Sequence, residues 1–127
     1  MSDMSKNPHF NHINRAPYEL GTLLHQIPLP FIYNDAYRAT EDELLIAEAA
    51  AQHARNGNVT VMRGTEAIGA MLTAAAAFED WEVDANQLQH LGELVRHLAV
   101  EGQFLQFTDT NLRQVVNKRK GRTGKPK

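Results

Sequence analysis

Residues 65–101 of this chain read TEAIGAMLTAAAAFEDWEVDANQLQHLGELVRHLAVE, and this stretch decides the fold. Apolar side chains recur in it at spacings of three, four and seven residues, which are typical of one buried helix face. The first stripe consists of Ile68, Met71, Leu72, Ala75 and Phe78, and the second of Leu88, Leu91, Val95, Leu98 and Ala99. The two stripes predict a helical hairpin. Its expected core consists of Leu72, Phe78, Leu91 and Val95.

Start signals precede both of these helices and a third helix upstream. Thr65 and Asp84 are placed to cap the hairpin helices, and the short link EDWEV suits antiparallel neighbours. Thr40 followed by Glu43 has the spacing of a capping box, so a helix is expected to begin there. We expect that helix to end at Gly57, in the manner of a glycine C-cap.

Two stretches around these helices are expected to be non-helical. Residues 58–63 are interpreted as an extended linker, and residues 103–107 as a connector that follows a helix stop at Gly102. A last helix is expected to begin at Thr108 or Asp109 and to fray into the C-terminal tail. No heptad pattern is sustained long enough to predict a long coiled coil.

A proline-containing apolar segment, residues 27–33 (IPLPFIY), lies upstream of these helices. Its two prolines at alternate positions disfavour a helix and favour an extended path. Two interpretations are open: a strap laid across the chain's own helices, which we favour, or a segment that docks on another subunit. The candidate interaction residues of this strap are Ile27, Leu29, Phe31, Ile32 and Tyr33.

Charge divides the chain into three parts, although 13 basic residues nearly balance 15 acidic ones overall. Residues 1–15 bury too little apolar surface to offset the entropy of ordering, so a disordered arm is expected. Residues 16–117 carry five arginines against fourteen acidic residues and are expected to form one helical domain. Residues 118–127 contain no acid and are expected to be a disordered basic tail. The predicted fold class is all-α, a small helical bundle centred on the hairpin.

The basic tail, KRKGRTGKPK, is the most distinctive positive feature of the sequence. A flexible cluster of positive charge neutralises phosphates, which gives salt-dependent and sequence-independent binding to nucleic acid. The alternatives are a solubilising tail or one that folds back onto the acidic body. The candidate nucleic-acid-binding residues are Lys118, Arg119, Lys120, Arg122, Lys125 and Lys127.

Reactive residue types are missing from the body of the chain. Serine occurs only at positions 2 and 5, cysteine is absent, and every lysine lies at position 6 or from position 118 onward. These absences disfavour nucleophilic catalysis, Schiff-base chemistry and a phosphate-binding GxxxxGK[ST] loop. The six histidines lack the HxxxH or HExxH spacing of a helical metal site. We therefore expect no catalytic activity, metal, cofactor or small-molecule substrate.

Two segments resemble DNA-binding motifs over short stretches. Residues 4–11 (MSKNPHFN) look like the start of an Arc-type ribbon–helix–helix repressor, but Pro28 and Pro30 follow where that family has helices. Residues 49–64 (AAAQHARNGNVTVMRG) resemble a helix-turn-helix, but RNGN makes a longer break than its tight turn. The chain is assigned to no family on this basis.

These features together predict a function for the helical domain. Lack of cysteine and of an apolar run of about 20 residues favours a cytoplasmic protein with no membrane partner. Dense alanine in the helices allows close helix packing, within one chain or across a homodimer. We expect a non-catalytic regulatory or protein-interaction module that self-associates. The alternative is an accessory nucleic-acid-binding protein that uses the basic tail.

Overall fold

The computed structural model of this protein describes residues 4–12, 18–78 and 82–121. These residues form four α-helices and one short 3-10 helix and contain no strand, which confirms the all-α class. The elements are the 3-10 helix Met4–Lys6, α1 (Tyr18–His25), α2 (Leu29–Tyr33), α3 (Glu41–Ala76) and α4 (Ala85–Lys120). Helices α3 and α4 have 36 residues each, a length of about 54 Å, and pack on one another as a hairpin.

The start of α3 is held by the predicted capping box. The N–H of Glu43 donates to Thr40 Oγ1 at 3.1 Å, and the N–H of Thr40 donates to Glu43 Oε1 at 2.9 Å. The Tyr37 hydroxyl donates to the same carboxylate at 2.6 Å. Burial acts to raise the pKa of Glu43, but the hydrogen bonds from Thr40 and Tyr37 together hold it below its ordinary value. Asp84 caps α4 by accepting a hydrogen bond from the N–H of Asn86 at 3.0 Å.

Helix α3 does not end at Gly57, and the linker expected at residues 58–63 is helical. A glycine inside a helix costs about 1 kcal/mol relative to alanine. Continued contact with α4 outweighs that cost, because Asn58 and Val61 are half-buried beyond the glycine. Thr65 is not a cap, since its hydroxyl donates to the carbonyl of Val61 within the same helix at 2.8 Å.

Helix α4 is likewise uninterrupted. Gly102 is not its end, the connector expected at residues 103–107 is helical, and Thr108 is buried inside the helix. A Cβ added at Gly102 would lie 3.2 Å from Asn58 Oδ1 and 3.5 Å from Val61 Cγ1. Gly102 therefore allows the close approach of the two helices and does not terminate one of them.

A seam with heptad spacing joins α3 and α4, contrary to the expectation that no heptad is sustained. Its members in α3 are Leu44, Ala47, Ala51, Ala54, Asn58, Val61, Thr65, Ile68, Leu72 and Ala75. Its members in α4 are Leu91, Val95, Leu98, Gly102, Leu105, Asp109, Leu112, Val116 and Arg119. All of them are buried or half-buried, at the alternating spacing of a coiled-coil seam. Polar, charged and glycine members conceal the repeat in the sequence.

The proximal half of the hairpin, which we define as residues 41–57 of α3 and 102–120 of α4, is covered by other elements. One buried cluster consists of Leu20, Leu23, Ile46, Ala49, Ala50, Ala51, Ala54, Leu105 and Leu112. A second consists of Phe31, Ala39, Leu44, Ala47, Val115 and Val116. Helix α1 supplies Leu20 and Leu23, and α2 supplies Phe31. These three side chains close the proximal half into a core.

The strap contains a helix and is not extended. Pro28 is the N-cap of α2 and Pro30 lies in its first turn, where a missing N–H leaves no intrahelical bond unmade. The prolines therefore begin this helix and do not prevent it. Of the five candidate interaction residues of the strap, Ile27, Phe31 and Ile32 are buried or half-buried, and Leu29 and Tyr33 are exposed.

Residues 4–12 of the expected disordered arm pack on α3. Asn7 is buried, and its side-chain amide donates to the carbonyl of Leu45 at 2.8 Å. The ring of Phe10 stacks on the ring of His53, with centroids 4.6 Å apart. These tertiary contacts outweigh the low local hydrophobicity on which the expectation rested. Residues 1–3 and 13–15 of the arm lie outside the described residues.

Candidate protein-interaction surface

The distal half of the hairpin, which we define as residues 58–76 of α3 and 85–101 of α4, has no buried residue. The predicted core is therefore only partly closed. Leu72, Leu91 and Val95 are half-buried, and Phe78, just beyond α3, is 71% exposed. Among residues 4–12, 18–78 and 82–121, each helix of the distal half packs on one other helix, so this half buries a single seam.

Large apolar side chains are exposed along the distal half and at its border with the proximal half. In the distal half and just beyond α3 they are Val59, Met62, Met71, Phe78, Leu88, Leu94 and Val100, and in the first turns of the proximal half of α4 they are Phe104 and Phe107. A large side chain offers about 150–250 Å² when fully exposed, so their exposed fractions together amount to about 1,000 Å². Apolar patches on monomeric soluble proteins rarely exceed a few hundred Å². This total is spread over several faces of the hairpin, so no single patch reaches it, and an interaction site has to be sought on the individual faces.

The last part of α3 is apolar on all sides. Residues 67–78 read AIGAMLTAAAAF and include no charged residue. Their one polar side chain, Thr73, donates its hydroxyl to the carbonyl of Gly69 at 2.9 Å and so is satisfied within the helix. A helix that is apolar all round is normally surrounded by protein or lipid. In one chain, only Ile68, Leu72 and Ala75 of this stretch are even half-buried.

A second seam lies beside the first on α3. Each of its first five members comes one residue before a member of the first seam, which places it about 100° around the helix. It consists of Thr60, Gly64, Ala67, Met71, Ala74 and Phe78, all exposed. The same line extends into the proximal half through Ile46, Ala50, His53 and Gly57, all buried. There α1 and Phe10 cover it. A helix with two seams packs on two neighbours, and within the described part of the chain the distal part of α3 packs on one, α4.

A groove of about 760 Å³ lies between α3 and α4 at the middle of the hairpin. Its lining residues include the apolar or small Val61, Met62, Leu98, Ala99 and Gly102 and the polar or charged Arg63, Glu66, Gln103 and Gln106. An apolar groove with polar margins is the kind of surface on which an amphipathic helix docks. The groove thus adds a concave face to the apolar surface of the distal half.

The first three residues of the expected basic tail belong to the last turn of α4. Arg119 is 1% exposed, and its Nε donates to the carbonyl of Phe31 at 2.8 Å. Its Nη1 donates to the carbonyl of Asp35 at 3.1 Å. Arg119 therefore binds α2 and the segment that follows it to the end of α4, and its guanidinium faces the protein interior.

The remaining basic candidates differ in their surroundings. The ammonium group of Lys120 lies 2.8 Å from a carboxylate oxygen of the buried Glu48, whereas Lys118 is exposed. Cations at the end of a helix are also favoured by its dipole. The candidates that lie outside the described residues are Arg122, Lys125 and Lys127.

No protein-family model, curated protein or solved structure matches this chain. No helix in the described residues is long and apolar enough to cross a membrane. Residues 4–6 form a 3-10 helix and residues 49–64 one unbroken helix, so neither DNA-binding resemblance extends to the structure. The fold and the surface define a class of protein: an all-α two-helix hairpin with one half covered and the other open.

Proposed function

We propose that this protein is a non-catalytic helical interaction module that binds protein through the distal half of its hairpin. The contrast between the two halves carries the proposal. One line of α3 is buried under α1 and Phe10 in the proximal half and lies open beyond Gly57. Covering the open part with another protein removes apolar surface from water, which is the main driving force of association.

The form of the surface favours a helical partner. Exposed small residues such as Gly64, Ala67 and Ala74 let the backbone of a partner helix come close. Met71 offers a side chain that can pack into the grooves of that partner helix. The surface is also made of two long helices with fixed backbones. Binding to such a preorganised surface loses less conformational entropy than binding to a loop.

Nucleic-acid binding through the basic tail is the alternative, and it has less support. Arg119 and Lys120 are engaged in contacts within the domain. Fewer basic groups remain for phosphates than the six that the sequence offers, which reduces the expected salt dependence of such binding.

Site-specific photo-cross-linking in the source cell tests the proposal. A benzophenone amino acid replaces Val100 or Phe78, both strongly exposed on the distal surface. The matched control replaces Gln114, which is exposed on the same face of α4 two heptads further on, in the proximal half. We expect protein adducts from the two distal probes and none from position 114. Absence of distal adducts, or equal yields at position 114, would contradict the proposal.

A further inference from the structure

We infer that the occupant of the second seam is a second copy of this chain, whose α3 packs antiparallel on this α3 about a two-fold axis at Met71. The inference rests on the proposed function and names the partner for one face of the distal half. The four helices of two hairpins then form a bundle in which each α3 uses both of its seams. Four observations support this arrangement.

The first observation concerns the glycine of the second seam. A Cβ added at Gly64 would meet nothing within 4 Å, as is also true at Gly69 and Gly92, so packing within one chain does not require glycine there. Glycine weakens a helix relative to alanine, which leaves this position unexplained in a single chain. Gly64 lies seven residues before Met71, and Phe78 lies seven residues after it. An antiparallel pair centred on Met71 brings the residues just beyond the end of α3, which include Phe78, close to Gly64 of the other copy.

The second observation concerns charge. A two-fold axis brings identical surfaces together, so any charge near the axis faces its own copy. Residues 67–78 carry no charge, although the surrounding domain is strongly acidic. The second seam is therefore a surface on which two copies meet without like-charge repulsion.

The third observation concerns the direction of packing. Helix α1 and Phe10 occupy this edge of α3 in the proximal half, on the line through Ala50 and His53. In a parallel pair, the two covered edges would face each other and hold the seams apart. In an antiparallel pair, only the distal halves overlap and the two proximal halves lie at opposite ends.

The fourth observation concerns area. The exposed fractions of Met71 and Phe78, 71% each, and of Leu94, 46%, amount to about 400 Å². The two exposed alanines of this edge, Ala67 and Ala74, bring it to about 500 Å² per copy, just below the range for specific, stable interfaces. An interface of this size predicts a dimer that dissociates on dilution.

Sedimentation of the full chain at concentrations from about 1 to about 100 µM, a range in which small interfaces dissociate, tests the association. We expect the mass to rise from one chain to two across this range. Met71→Glu places two carboxylates at the axis, so it is expected to weaken dimerisation at least tenfold. The matched control is Thr73→Glu, which adds the same charge to an exposed position two residues away and on the other side of α3. Both variants are compared by circular dichroism to verify that the helices remain folded.

Cysteine cross-linking tests the register, because the chain has no cysteine of its own. Under a mild oxidant, Met71→Cys is expected to form a disulfide-linked dimer, as is a mixture of Gly64→Cys and Phe78→Cys chains. Gly64→Cys alone is expected to remain unlinked, because its two copies would lie about 21 Å apart along an antiparallel pair. A disulfide requires Cα atoms within about 7 Å. Efficient self-linking of Gly64→Cys with none at position 71 would overturn the antiparallel arrangement.

The outcomes separate this inference from the proposed function. A chain that stays monomeric throughout, with no link at position 71, overturns the inference. If the photoreactive variants at positions 78 and 100 still capture a different protein in cells, the proposed function stands and only the inference of a second copy is wrong. If neither a dimer nor any adduct forms, both are wrong. Equal loss of the dimer in Met71→Glu and Thr73→Glu would also overturn the inference that the second seam is the dimer interface.

Discussion

At the scale of single residues, Arg119 is the charged side chain most tightly integrated into the protein. Its guanidinium donates to the carbonyls of Phe31 and Asp35, which are 88 and 84 residues away in sequence. The rest of its surroundings is protein interior, since 1% of the residue is exposed. The residue thus ties the N-terminal helices to the end of α4.

Replacement of Arg119 by alanine is expected to lower the free energy of unfolding by about 2–4 kcal/mol, because the carbonyl of Phe31 loses a charged donor in a buried bond and the carbonyl of Asp35 loses one in a part-buried bond. Urea denaturation measures the change. Lys118→Ala is the control, since Lys118 is exposed and its loss is expected to change stability by no more than about 0.5 kcal/mol. Equal stabilities of the two variants would contradict a structural role for Arg119 and return it to the candidates for phosphate binding.

Local signals could be predicted from the sequence, and distant partners could not. The capping box of Thr40 and Glu43 needs only residues three apart, and it forms as predicted. Arg119 lies three residues after Val116 and seven after Leu112, which places it on the buried face of α4. That spacing was a usable signal. The carbonyls that accept its hydrogen bonds have no signature in the sequence. From the sequence alone, residues 118–127 are therefore predicted to be a basic tail.

At the scale of elements, the sequence predicts the hairpin but divides its helices wrongly. Gly57 and Gly102 were interpreted as helix ends, because glycine is common there. Both are buried inside long helices, and a Cβ added at Gly102 would lie only 3.2 Å from Asn58 Oδ1 of the opposite helix. A glycine for close approach and a glycine for termination look alike in one sequence, and only the position of the second helix separates them.

The N-terminal segment and α3 together enclose a histidine. His53 is 1% exposed, stacks on Phe10, and has no hydrogen-bond partner for either ring nitrogen among the described residues. Burial lowers the pKa of His53, and the negative charge of Glu19 opposes this only in part. Burial therefore favours the neutral form of this side chain in the folded protein.

The stability of the protein is expected to depend on pH through His53. A lowered pKa in the folded state means that protons bind more readily to the unfolded chain, so the contribution is complete above about pH 6.5 and is lost as pH falls through the folded pKa. His53→Leu is expected to remove this dependence, whereas replacement of the exposed His90 by leucine retains it. Urea denaturation between about pH 5 and pH 7.5 measures both. Glu43, whose lowered pKa acts near pH 4 and below, does not interfere. An unchanged pH dependence in His53→Leu would contradict this assignment.

At the scale of the whole molecule, the chain consists of a covered half and an open half built on the same two helices. Composition shows an acidic domain without serine, cysteine or lysine, and the spacing of its apolar residues predicts the all-α class. It does not predict the division, because apolar residues 67–78 look like a core helix whether their neighbours come from the same chain or from another. The distal surface can be identified only from the structure, which shows that α1 and α2 cover the proximal half of the hairpin.

Amide hydrogen exchange of the full chain, recorded by peptide at a dilute and a concentrated condition, tests the central claim most directly. In the dilute chain, amides of residues 60–76 are expected to exchange much faster than those of residues 44–57, because one seam stabilises the first range and a full core the second. At high concentration, residues 60–76 are expected to gain protection while residues 44–57 stay unchanged. Distal amides as protected as proximal ones in the dilute chain would contradict the claim that a single chain leaves this half uncovered.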